Sequence, residues 1–133
     1  MKIEKKYHFY AAHRNKEAGE KCGRIHGHTY HVTCTFEFEY RDSICMLFSD
    51  IDAIVEPIIK TYDHNFILWS NDTLCDTLAK AQEPFIELPF PTSAENMACH
   101  LFNQIKAAGM NIIRIELAET QTSKVIYEPP VSK

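Results

Sequence analysis

His-Gly-His-Thr-Tyr-His-Val-Thr-Cys-Thr-Phe-Glu-Phe-Glu-Tyr, residues 26–40, is the stretch whose reading decides the fold. Its even positions Tyr30, Val32, Cys34, Phe36 and Phe38 are apolar and alternate with Thr29, His31, Thr33, Thr35, Glu37 and Glu39, the period of a half-buried strand. His26 and His28 begin the apolar face. Upstream, residues 2–13 carry the same period, with Ile3, Tyr7, Phe9 and Ala11 on one face and Glu4, Lys6 and His8 on the other, and His13 continues the apolar side. Two consecutive strands joined by a loop tend to pair antiparallel, so the end of the first faces the start of the second. That pairing brings His13 to His26 and His28.

Further along the chain the period changes. Ser49 is read as the cap of a helix in which Ile51, Ile54, Val55, Ile58, Ile59 and Tyr62 form one stripe, kinked at Pro57. A weaker helix is read over Asn71–Lys80, then an extended piece over Phe85–Leu88 ended by Pro89 and Pro91. Thr92 and Glu95 are read as a capping box opening a helix with Ala94, Met97, Ala98, Leu101, Phe102 and Ile105 on its buried face, stopped by Gly109. Ile113, Ile115 and Leu117, a polar connection over 120–123, then Val125 and Tyr127 give a closing hairpin, and residues 129–133 a frayed tail. The order ββααββ specifies an α+β domain over residues 1–133: a four-stranded antiparallel sheet with two or three helices on one face.

The 133 residues are 45% hydrophobic and 24% charged, the composition of an ordinary globular chain. A net charge of −4 supplies no basic field for nucleic acid or an anionic membrane, and residues 1–10 lack the apolar run of a signal peptide, so a cytoplasmic protein is expected. The five cysteines, Cys22, Cys34, Cys45, Cys75 and Cys99, have no paired spacing and read as free thiols.

Residues i and i+2 of a strand project from one face about 6.5 Å apart, so a His-x-His pair plus an imidazole from the neighbouring strand can surround a metal ion. A single histidine on such a face is more often an ordinary core or surface residue, as is read for His8, His31 and His100. Three converging on the inner face are a different matter, and three imidazoles leave a coordination position open, as in catalytic zinc sites. Cys22 lies in the loop before His26, where a nearby cation would favour the thiolate. It could also be a fourth ligand, which would close the site. Asp63 next to His64 can orient and hold basic an imidazole. Glu119, at the end of an apolar strand face, is a carboxylate in need of a donor.

Phe9-Tyr10-Ala11-Ala12-His13-Arg14, Lys21-Cys22-Gly23-Arg24-Ile25-His26-Gly27-His28, Asp63-His64, Pro91-Thr92 through Glu95-Asn96, and Glu119-Thr120 together resemble the 6-pyruvoyltetrahydropterin synthase family over nearly the whole chain. The short spacing from Cys22 to His26 is similar to its queuosine-pathway branch, 6-carboxy-5,6,7,8-tetrahydropterin synthase. The resemblance implies a tunnelling fold (T-fold) assembled as a homohexamer of two trimers with active sites between subunits. It implies Zn2+ on His13, His26 and His28, a catalytic triad of Cys22, Asp63 and His64, and Glu119 as the anchor of the pterin ring. Thr92 and Ser93 are implied at the pterin edge, and Arg14, Lys21 and Arg24 are candidates to meet the triphosphate. Leu47 before Phe48, and an extra residue within 91–95, depart from the family pattern without touching the metal set or Cys22.

The reaction implied is conversion of 7,8-dihydroneopterin triphosphate to 6-carboxytetrahydropterin with loss of triphosphate and acetaldehyde, without an external redox cofactor. Two alternatives stay open: the same chemistry ending at 6-pyruvoyltetrahydropterin, and a noncatalytic pterin- or metal-binding module.

Overall fold

A computed structural model describes residues 1–130 of the chain, so residues 131–133 of the tail read as frayed lie outside it. Strand β1 (Lys2–His13) and strand β2 (His26–Glu37) pair antiparallel along their whole length, with His13 opposite His26 and Ala11 opposite His28. Helix α1 (Phe48–Lys60) leads to β3 (Asn65–Trp69), α2 (Leu74–Lys80) to β4 (Phe85–Leu88), and α3 (Ala94–Ala107) to the hairpin β5 (Ile112–Ala118) and β6 (Val125–Tyr127).

The α+β class stands, but the sheet has six strands in the order β4-β3-β1-β2-β5-β6 rather than four, and it is mixed. Strand β3 runs parallel to both β1 and β4. The physical reason is that Phe-Ile-Leu-Trp, residues 66–69, is a short continuous apolar run with Ile67 and Leu68 both fully buried; a parallel strand covered on both faces shows no alternation. The extended piece over Phe85–Leu88 pairs with β3 as the sheet's edge.

Helices α1 and α3 cover one face of the sheet. Ile51, Val55 and Ile59 of α1 and Met97, Ala98, Leu101 and Ile105 of α3 meet Phe9, Ala11, Tyr30, Val32, Cys34 and Phe36 in one core. Phe9 and Tyr30 stack with ring centroids 4.6 Å apart, a contact worth about 1 kcal/mol beyond burial. The opposite face carries Lys2, Glu4, Lys6, His8 and Tyr10, all exposed. His8 and His31 lie there as read; His100 is half-buried, with Nε2 2.9 Å from the Tyr62 hydroxyl.

Several local readings shift. Leu47, not Ser49, is the N-cap of α1, without a side-chain cap. Pro57 lies on that helix's solvent face. The cap of α3 is Ser93, whose hydroxyl accepts from the Asn96 N–H, so Thr92 is freed for another contact. In β5 a bulge opposite Thr35 and Phe36 skips Ile113: Arg114 pairs with Thr35 and Ile112 with Phe36, so Ile112 replaces Ile113 in the core. Among the described residues no helix is long and apolar enough to cross a membrane.

Candidate metal centre and catalytic cavity

The register of β1 on β2 fixes the site. His13 is the last residue of β1 and is 2% exposed; His26 and His28 open β2 on the same face. One side-chain nitrogen from each lies within 4.8 Å of the others. The Nδ1 of His13 is 2.9 Å from the Thr92 carbonyl oxygen, and that of His26 is 2.7 Å from the Arg24 carbonyl oxygen. A carbonyl only accepts, so each Nδ1 carries the proton and each Nε2 keeps its lone pair. The Nε2 of His13 is buried without a hydrogen-bond partner. Two imidazoles whose far nitrogens are tied to carbonyls, one of them with a desolvated Nε2, together with His28 fit a divalent ion that prefers nitrogen ligands.

Glu119, just past the end of β5, comes into this group. Its Oε2 is 3.3 Å from His13 Nε2 and 3.2 Å from His28 Nε2, within ion-pair reach though not aligned with His13 for a hydrogen bond. Contact with His13 holds the Glu119 carboxyl below its ordinary value against the opposing effect of burial. Burial lowers His28, offset in part by Glu119. Beneath them Tyr30 is fully buried, and burial together with the Glu119 charge pushes its hydroxyl well up.

These groups open onto a cavity of about 600 Å³ that Cys22, Asn15, Ser93, Glu95 and Lys124 also line. Cys22 is exposed. Its loop is tied to the end of β1 by a hydrogen bond from the Asn15 N–H to the Cys22 carbonyl at 2.7 Å. The adjoining turn needs a glycine: a Cβ on Gly23 would come within 2.9 Å of the Gly19 carbonyl oxygen.

Asp63 and His64 lie elsewhere. They follow α1 and join β3 to the exposed edge of Tyr10, whose N–H donates to Asp63 Oδ1 at 2.8 Å while its carbonyl accepts from the His64 N–H. His64 Nδ1 is 2.9 Å from Asp63 Oδ2, and the Tyr10 N–H followed by His64 keeps the Asp63 carboxyl low. His64, with a φ of 58° and a largely exposed ring, borders a second cavity of about 540 Å³ beside Tyr10, Gly27 and Glu83. Within one chain, then, Cys22 joins the three histidines and Glu119, and the Asp63–His64 pair does not.

Thr92 is buried, with its hydroxyl 3.3 Å from His13 Nδ1, and Ser93 is at the cavity wall. Arg24 is outside the lining, paired with Glu20 at 3.0 Å. Arg14 is not free: its guanidinium makes a two-pronged contact with Asp72, whose carboxylate also accepts the Leu74 N–H. The contributions of Asn15, Asp72 and Lys124 had no signature in sequence, since none belongs to a spaced motif.

A family model described as 6-pyruvoyl tetrahydropterin synthase matches residues 2–130. A 6-carboxy-5,6,7,8-tetrahydropterin synthase of Haemophilus influenzae is 30% identical, over 96% of this chain and 99% of its own. A putative enzyme of the same name from Archaeoglobus fulgidus is 28% identical, over 85% and 83%. Among solved structures, an uncharacterised protein from Wolinella succinogenes superposes with a TM-score of 0.79 at 20% identity, covering 98% of both chains. The Caenorhabditis elegans 6-pyruvoyl tetrahydropterin synthase does so with a TM-score of 0.71 at 19% identity, over 98% of this chain and 96% of that one.

Proposed function

The chain belongs to the 6-pyruvoyl tetrahydropterin synthase family, and from that membership we propose that it converts 7,8-dihydroneopterin triphosphate to 6-carboxy-5,6,7,8-tetrahydropterin, releasing triphosphate and acetaldehyde, as a lyase of queuosine (7-deazapurine) biosynthesis in the cytoplasm. The names of the relatives from Haemophilus influenzae and Archaeoglobus fulgidus support the product. The observation that carries the reading is the convergence of His13, His26, His28, Cys22 and Glu119 on one cavity.

His13, His26 and His28 would hold a zinc ion, and their donor set fits it. Bound there, zinc supplies Lewis-acid polarisation of the hydroxyl groups on the substrate side chain. Glu119 accepts the amidine edge of the pterin through paired charge-assisted hydrogen bonds, with Thr92 and Ser93 bordering the ring. Cys22, as thiolate, takes a proton from a side-chain carbon. His64, with Nδ1–H held on Asp63, has Nε2 available for the matching transfer. Because His64 borders a different cavity from Cys22, the triad is assembled from Cys22 of one subunit and Asp63 and His64 of a neighbour, in a hexamer of two stacked trimers whose subunits join through their free strand edges. Arg24 and Lys21, on the exposed loop, remain for the triphosphate. Residues 1–133 act as one domain.

Incubation with 7,8-dihydroneopterin triphosphate tests the proposal. Acetaldehyde and a 6-carboxypterin product are expected in equal amounts; a three-carbon 6-pyruvoyl product without acetaldehyde would assign the sister reaction, and no turnover by zinc-loaded protein would leave a binding module.

A further inference from the structure

We infer that Glu119 is a fourth ligand of the metal in the resting protein, in the position from which substrate must displace it. The inference rests on the reading of His13, His26 and His28 as the metal set. With metal–ligand bonds of about 2.0–2.1 Å, the corners of a tetrahedron are about 3.3 Å apart. Glu119 Oε2 is 3.3 Å from His13 Nε2 and 3.2 Å from His28 Nε2, the separation of neighbouring corners. One carboxylate oxygen held between two of the three ligand nitrogens is placed to share their ion.

A second observation is independent of the spacing. His13 Nε2 is buried, has no hydrogen-bond partner, and belongs to a ring that is 2% exposed. Glu119 therefore is not there to satisfy His13 by a hydrogen bond. A buried lone pair without a donor, beside a carboxylate oxygen, is stabilised when one cation is shared between them.

The imidazoles rest on a buried ring, while the carboxylate is carried just past a strand end. Tyr30 lies fully buried under the histidines, with ring centroids 6.0 Å from His13 and 5.5 Å from His28. Glu119 itself is just beyond β5, where the chain leaves the sheet, so its side chain can move without disturbing strand pairing. A closed resting site that opens when substrate arrives would keep the metal from binding adventitious ligands. It would also present Glu119 to the pterin only after release, which couples occupancy of the ring pocket to opening of the metal.

The test uses cobalt(II) as a spectroscopic probe and imidazole, largely uncharged at pH 8, as an external ligand. The probe's neutrality removes the trivial effect of deleting a negative charge. In the wild type, imidazole should perturb the visible bands only at high concentration, because it competes with Glu119. In Glu119→Gln, and in Glu119→Ala as a second variant, the same change should need at least about tenfold less imidazole, the scale on which groups ordering a metal site act. Equal imidazole sensitivity in the wild type and both variants would overturn the inference. His26→Ala separates it from its premise: cobalt bound with unchanged spectrum in that variant would remove the three-histidine site itself, whereas loss of cobalt there leaves the imidazole comparison to decide the role of Glu119.

Discussion

The Nδ1 of His13 donates to the backbone carbonyl of Thr92 at 2.9 Å, across 79 positions of sequence. The contact fixes the tautomer of a buried imidazole and aims its other nitrogen into the cavity. Because the acceptor is backbone, the threonine side chain is dispensable for it. Thr92→Val keeps both volume and carbonyl, so zinc affinity should change by less than the ~10-fold that losing a group behind a metal ligand costs. A larger loss in a metal titration would make the Thr92 hydroxyl, 3.3 Å from the same nitrogen, the effective partner.

Cys22 lines the cavity from an exposed loop, outside the set of three nitrogens. Cys22→Ala should retain about one zinc per chain and an unchanged circular dichroism spectrum, while turnover falls by ~10² to 10⁴. Zinc lost together with activity would make the thiol a metal ligand.

His64, held by Asp63, borders one cavity and Cys22 another. Cys22→Ala and His64→Ala should each be nearly inactive alone. Subunits exchanged between them should recover about a quarter of wild-type turnover, because random pairing gives that share of sites both residues. No recovery after exchange, verified by mass spectrometry of mixed oligomers, would place both groups in a site built by one chain.

The Arg14–Asp72 pair anchors the residue after His13. Arg14, followed by the Leu74 N–H, holds the Asp72 carboxyl below its ordinary value despite burial. A carboxyl depressed in the folded state stabilises above its unfolded pKa, about 3.9, and that stability disappears as pH falls through the folded value. Asp72→Asn leaves a mostly buried guanidinium without its counter-charge and should cost about 3 kcal/mol in urea denaturation at pH 7. The difference from wild type should shrink below pH ~4. An undiminished gap at pH ~3 would mean that the cost is packing.

Much of this arrangement is legible in sequence because it follows from period. Alternation over 2–13 and 26–40 finds both long strands, and their pairing assembles His13, His26 and His28. The stripe of Met97, Leu101 and Ile105 finds α3. What escapes has no periodic signal. Ile67 and Leu68 are buried on both sides, so β3 gives no alternation. A bulge at Ile113 reverses the parity of β5 midway. Thr92 acts through a carbonyl that every residue possesses, and Arg14 finds Asp72 only through the tertiary fold.

All three imidazoles come from a single hairpin at the start of the chain, whereas Thr92 and Glu119 come from its last third. A ribosome adds residues at roughly 5–20 per second, N-terminus first. The emerging chain thus exposes its full nitrogen set several seconds before the carbonyl that steadies His13, or the carboxylate beside it, has been synthesised. An ion taken up at that stage sits in a grip without a lock. If zinc is the ion, completion of α3 and β5 turns transient capture into retention, so a chain truncated late should release added zinc quickly even where its first two strands have formed.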